Sequence, residues 1–194
     1  MIKSRGSDAG NHRLAAAKNS AFTALSLVAA ITALGMTSAC GGSERGRDYS
    51  VPSNLCGTPV SSDEISPFLP AGESITVQKE DHLGTEICKV VVDKKLALIA
   101  TQAWVAKEKT TAYFASGQTL KKVSLSSDSG RYRYSGNEGF GKVEDCVNER
   151  RDQELYTALQ FQTSENNDPD AMKRLITAYT AAVKDSGQCT ISTS

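Results

Sequence analysis

Apolar residues first come in a block free of charge, then in alternation with polar ones, and last at helical spacing. The block is 21–36, which holds no charged residue. Alternation begins at 74–78, with Ile75 and Val77 on one face, and returns in 86–92 and 96–101. A period of two marks a strand with one buried face, because successive side chains point to opposite sides. Asp93-Lys94-Lys95 between two of these runs reads as a hairpin turn, and 102–104 extends the second strand. Segment 110–117 fits a helical turn or a strand, and 120–125 is a further strand candidate. The runs 131–135 and 140–147 flank Gly136-Asn137-Glu138-Gly139 and form a second hairpin, and 155–163 alternates again.

Two segments carry the helical period. Ser61 or Ser62 can cap a short helix whose first turn holds Asp63 and Glu64, and Pro70-Ala71-Gly72 ends it. Near the C-terminus, Asp168 is a good N-cap and Pro169 suits the first helical position. Met172, Leu175, Ile176, Tyr179, Ala182 and Val183 then draw one apolar stripe, with Gly187 expected as the C-terminal cap. The expected fold class is α+β: an antiparallel sheet with a short N-terminal helix and a C-terminal amphipathic helix packed on one face.

The first apolar block belongs to an address. Lys3, Arg5, Arg13 and Lys18 precede it, and Thr37-Ser38-Ala39 follow as small residues. Basic, apolar, small is the order of a secretory signal, and the block falls short of the roughly 20 apolar residues that span a bilayer. Thr37-Ser38-Ala39-Cys40 resembles the lipobox of bacterial lipoproteins, departing from it at Thr37, where leucine is commoner. The resemblance implies cleavage before Cys40 and attachment of a diacylglyceryl group to its thiol. Two acyl chains suffice for stable anchoring. The expected organisation is therefore a signal peptide at 1–39, a Gly/Ser-rich flexible tether at 40–53, and one extracytoplasmic domain at 54–194.

The chain holds 22 basic and 22 acidic residues, of which the leader removes four basic and one acidic, so the mature chain is mildly acidic with both signs interspersed. That charge pattern argues against a nucleic-acid partner, which calls for a basic stripe. With Cys40 lipidated, Cys56, Cys88, Cys146 and Cys189 remain, an even set expected to form two disulfides in an oxidising compartment. Four cysteines allow three connectivities. The expected one is Cys56–Cys88 with Cys146–Cys189, each stapling one half of the domain. A metal site is not expected, because the cysteines are far apart and His82 is the one histidine after the leader. No cofactor is expected.

Catalytic signatures are missing: there is no G-x-S-x-G, H-E-x-x-H or P-loop. His82 reads as a surface residue, and the acidic pairs Asp63/Glu64, Glu80/Asp81 and Glu144/Asp145 read as solvated charges. The glycine-rich stretch 136–141 reads as a hairpin turn, since it runs from strand to strand and not into a helix N-terminus. Tyr132, Tyr134 and Phe140 are candidates for an aromatic binding face near that turn if exposed, with burial under the helix as core the favoured reading, and Trp104 at a strand end is either a core anchor or a contact residue.

Leu55-Cys56-Gly57, Ile87-Cys88-Lys89-Val90, Asp128-Ser129-Gly130-Arg131-Tyr132, Ala178-Tyr179 and Cys189 together resemble the small lipoproteins of high-GC Gram-positive bacteria over about residues 50–190. The resemblance implies an extracytoplasmic α+β domain with two disulfides and brings no activity with it. The functional expectation is a membrane-anchored, non-catalytic module that binds an envelope protein or a small ligand. The alternatives are an envelope hydrolase working through carboxylates and an inert accessory subunit.

Overall fold

Ile75, Cys88, Val90, Ala100 and Leu159 recur at every second position of their strands, and pairing those strands brings them onto one face. The computed structural model describes residues 46–162, 164 and 166–190; the expected signal peptide, Cys40 and the first part of the tether lie outside them. In chain order the elements are β1 (Asn54–Leu55), β2 (Thr58–Pro59), α1 (Ser62–Ile65), a 3-10 turn (Ser66–Phe68), β3 (Ile75–His82), β4 (Thr85–Val92), β5 (Lys95–Ala106) and α2 (Thr111–Gln118). The second half holds β6 (Leu125–Ser127), a 3-10 turn (Asp128–Gly130), β7 (Tyr132–Tyr134), β8 (Glu138–Asn148), β9 (Gln153–Phe161), α3 (Pro169–Lys184) and α4 (Gly187–Thr190). Strands β3 to β9 form one seven-stranded sheet in the order β3-β4-β5-β9-β8-β7-β6, antiparallel throughout. The fold is α+β, with α3 packed on the sheet.

Local chemistry explains each turn and cap. Asp93 and Lys94 both adopt positive φ (46° and 65°), the conformation of a two-residue hairpin that matches strand twist. The Asp93 carboxylate accepts from the backbone N–H of Ser74 and of Glu73, which pulls its pKa below the ordinary value and ties the β4–β5 turn to the start of β3. Ser61 caps α1, and Asp168 caps α3 by accepting from Asp170 N at 2.9 Å and Ala171 N at 3.0 Å. The ambiguous segment 110–117 is helical because Thr110 caps it from Tyr113 N and it buries Phe114 and Ala115. The candidate strand at 120–125 pairs only from Leu125 onward. Gly187 is not the cap of α3: that helix ends at Lys184, Ser186 Oγ donates to the Val183 carbonyl, and Gly187 opens α4.

The two sheet faces are covered unequally. One face holds the larger core, where Met172, Leu175, Ile176, Tyr179 and Val183 of α3 meet Val90, Leu98, Leu155 and Leu159. Gly139 and Gly141 of β8 let α3 approach: a Cβ at Gly139 would lie 2.7 Å from Ile176 Cβ, and one at Gly141 would lie 2.3 Å from Thr180 Oγ1. The other face carries α2, where Phe114 packs against Phe140 and Tyr156 with ring centroids 6.2 and 5.3 Å apart. Residues 46–53, expected within the flexible tether, run along the domain instead. Arg47 donates to Ser66 Oγ and to the Leu69 carbonyl, Tyr49 hydroxyl to the Pro70 carbonyl, and Val51 packs against the core.

Both disulfides have the expected pairing. Cys56–Cys88 fastens the β1–β2 hairpin to β4, and Cys146–Cys189 fastens α4 to β8, with Cα separations of 5.7 and 5.4 Å.

Candidate functional site

On β5, Ala100, Gln102 and Trp104 share the α3 face of the sheet, while Ala103 and Val105 point to the other. Register then aligns polar groups across that face. Gln102 is the Cα partner of Glu86 on one side and of Thr157 on the other, and Glu86 is the partner of Asp81. A polar row, Asp81–Glu86–Gln102–Thr157, therefore crosses an otherwise apolar surface. Buried polar groups must be partnered to avoid a desolvation cost of about 1–3 kcal/mol each.

Most of the row meets that demand. Thr157 Oγ1 lies 2.7 Å from Thr180 Oγ1 of α3. Gln102 Nε2 donates to Thr58 Oγ1 at 3.0 Å and to the Tyr179 hydroxyl at 3.4 Å. Burial pushes the Tyr179 hydroxyl up to about 12, opposed by the hydrogen bond from Gln102. Glu86, which is 7% exposed, holds Lys79 Nζ at 2.6 Å and Gln188 Nε2 at 2.9 Å, both on Oε2. The hydrogen bond to Glu86 raises the Lys79 ammonium above its ordinary value, against the desolvation that lowers it. Among the described residues one atom of the row is left over: Gln102 Oε1 is buried and accepts no hydrogen bond from them.

The row ends in a groove of about 670 Å³. Glu86, Gln102 and Trp104 line it from the sheet, and Cys56 to Thr58 and Ser186 to Gln188 supply its walls. Gly84 of the β3–β4 turn and Arg151 of the β8–β9 turn also border it. Each disulfide secures one wall: Cys56 is itself a lining residue, and Cys189 follows Gln188 directly.

Of the aromatic candidates, the groove contains Trp104 alone, half-buried. Tyr132, Tyr134 and Phe140 do not form a binding face, which removes them as a candidate surface and leaves the core reading. Tyr132 and Tyr134 pair with Gly141 and Gly139 and lie buried in the α3 core. Phe140 stands between those glycines, so the alternation of β8 sends it through the sheet to pack under α2. The glycine-rich stretch is likewise only partly a turn, since β8 already begins at Glu138.

Acidic pairs take structural or solvent-facing places. Asp63 and Glu64 start α1, and Glu80 and Asp81 fall on opposite faces of β3. Glu144 binds Arg131 at 3.0 Å, and Asp145 binds Lys184 at 3.2 Å. The two carboxylates that reach the groove, Asp81 and Glu86, share Lys79, at 3.5 and 2.6 Å. His82 is largely exposed, at the end of β3. Among the described residues, no group of His, Cys, Asp and Glu is arranged to hold a metal ion, and no helix is long and apolar enough to cross a membrane.

Sequence reasoning missed Glu86 and Gln102. Their signal was phase: each is polar at a position in step with buried neighbours, Glu86 with Cys88 and Val90, Gln102 with Ala100. Compared with known proteins, the chain matches no family model, no curated protein and no solved structure.

Proposed function

We propose that the chain is exported, lipidated on Cys40 and held at the extracytoplasmic face of the cell membrane, where its domain is a non-catalytic module that binds a small ligand in the groove around Trp104. The observation that carries the binding reading is that Gln102, whose buried oxygen has no partner among the described residues, lines a groove together with the one tryptophan of the chain. Ligand sites combine apolar surface with a few fixed polar groups, in pockets of about 300–1,000 Å³. The anchoring reading rests on the leader and on cysteine use: of five cysteines, four are joined in two disulfides and Cys40 is the remaining one.

Two measurements test this. Cells fed labelled palmitate should yield a labelled, membrane-bound wild type and an unlabelled, soluble Cys40→Ala variant; label retained in the variant would reject lipidation. Ligand binding to the native state raises Tm. A thermal-shift screen of the soluble variant against envelope extracts should find a stabilising fraction whose effect is lost in Trp104→Ala. If stabilisation survives Trp104→Ala in every active fraction, the groove is not the binding site.

A further inference from the structure

We propose that the ligand of this groove is a saccharide, seated with a ring face on Trp104 and with hydroxyl groups donating to Glu86 and Gln102. This rests on the binding-module reading and narrows it to a chemical class.

The sheet side of the groove offers acceptors. Gln102 is 4% exposed, and its amide nitrogen is held by Thr58 and Tyr179, so its buried oxygen, which accepts from no described residue, is fixed before any ligand arrives. Glu86 Oε2 takes both Lys79 and Gln188, while its other oxygen accepts from none of the described residues. Glu86 and Gln102 are cross-strand partners on the same face, and Trp104 lies two residues beyond Gln102 on that face. A ligand that reaches this spot must donate hydrogen bonds and present some apolar surface to the indole.

Charge separates the ligand classes that could do so. An organic cation would find one of the two carboxylate charges of Glu86 and Asp81 already offset by Lys79, and the guanidinium of Arg151, which also borders the groove, would offset the other. A small dianion would face the Glu86 carboxylate and the Gln102 carbonyl oxygen, both acceptors. A purely apolar ligand would leave the Gln102 oxygen buried and unpaired. A hydroxyl both donates and accepts, so a polyhydroxyl ring satisfies Gln102 and Glu86 as donor and Arg151 as acceptor. Its C–H face suits the flat indole. Preformed polar partners lower the entropic cost of such binding.

Trp104 is the one tryptophan of the chain, so its fluorescence reports on this site without a label. The soluble Cys40→Ala chain is titrated with tetrasaccharides of glucose, N-acetylglucosamine and galacturonic acid, and in parallel with glycine betaine and citrate. The expected result is a saturable emission shift with at least one tetrasaccharide. Loss of one hydrogen-bonding group should weaken that binding about tenfold in Gln102→Leu. If that variant melts below the assay temperature, Arg151→Ala on the surface turn takes its place, with a weakening of about threefold expected. A shift with betaine or citrate and none with any saccharide overturns the ligand class and leaves the groove as a binding site. A saccharide shift unchanged in both variants overturns the site assignment. No shift with any of the five overturns the groove reading as well.

Discussion

The two faces of the sheet solve one problem by different means. Under α3, a 16-residue amphipathic helix, both disulfides and the N-terminal hairpin converge on a continuous apolar core that runs from Leu55 to Val183. Under α2, an eight-residue helix supplies Phe114 and Ala115 to a cluster completed by Ala103, Phe140, Tyr156 and Ala158. The better-secured face is also the one that carries the polar row and the groove. A polar group survives beneath a core helix when rigid surroundings hold its partners in place, as Thr58 and Tyr179 hold Gln102.

That contrast can be broken most forcefully at Cys146–Cys189. Replacing both residues with alanine should cost about 4 kcal/mol by the chain-entropy estimate for its 43-residue separation, read in urea unfolding. A loss no larger than that of an ordinary surface substitution would mean that α3 holds its face without the staple. Next comes the seat of α3. Gly139→Val places a branched side chain where the Ile176 Cβ is already 2.7 Å from an added Cβ, and should cost about 3 kcal/mol. Unchanged stability would show that the helix does not rest on β8.

Alkaline unfolding sharpens the comparison, because each face buries a phenol. Burial pushes both Tyr179, on the α3 face, and Tyr156, on the α2 face, up to about 12. With a folded pKa raised above the ordinary value near 10, the stability is fully present below about pH 10 and is lost as pH climbs toward 12. Each tyrosine should contribute about 2 kcal/mol to that loss, and Tyr179→Phe or Tyr156→Phe should remove its own share from a pH series of urea melts. A pH profile unaltered in Tyr156→Phe would mean that α2 does not shield its face. The smallest effect is expected at Gly117 of α2, where an added Cβ meets nothing within 4 Å. Gly117→Ala should raise stability by about 0.5 kcal/mol through helix propensity. A destabilisation of that size would indicate crowding on this face.

The reach of the sequence differs between these regions for the same physical reasons. The helix α3 was legible because Asp168, Pro169 and a stripe at helical spacing are all local signals. The helix α2 was not, since its residues show no period and its cap, Thr110, decides the matter by one hydrogen bond. The disulfide pairing was not dictated by the sequence, which allows three connectivities; the expected one rested on each bond stapling one half of the domain, and the structure has that pairing. The aromatic face failed at register: Tyr132 and Tyr134 oppose glycines, which puts Phe140 on the other side. The groove depends on register across three strands, β3, β4 and β5, and on two side chains, Thr58 and Gln188, from distant segments. No window of sequence contains that information. Residues 46–53 were read as tether from their polarity, but Arg47 spends its charge on carbonyl groups at the end of the first helical segment.

Both disulfides join cysteines that are neighbours in the order of the domain: the first with the second, the third with the fourth. Among these four cysteines, oxidation progressing from the N-terminal end would pair Cys88 with Cys56 before Cys146 appears, and Cys189 would then meet a Cys146 still unclaimed. The native pattern is thus the default product of sequential oxidation. Among these four cysteines, that pattern calls for an oxidant and not for an enzyme that shuffles wrong pairs.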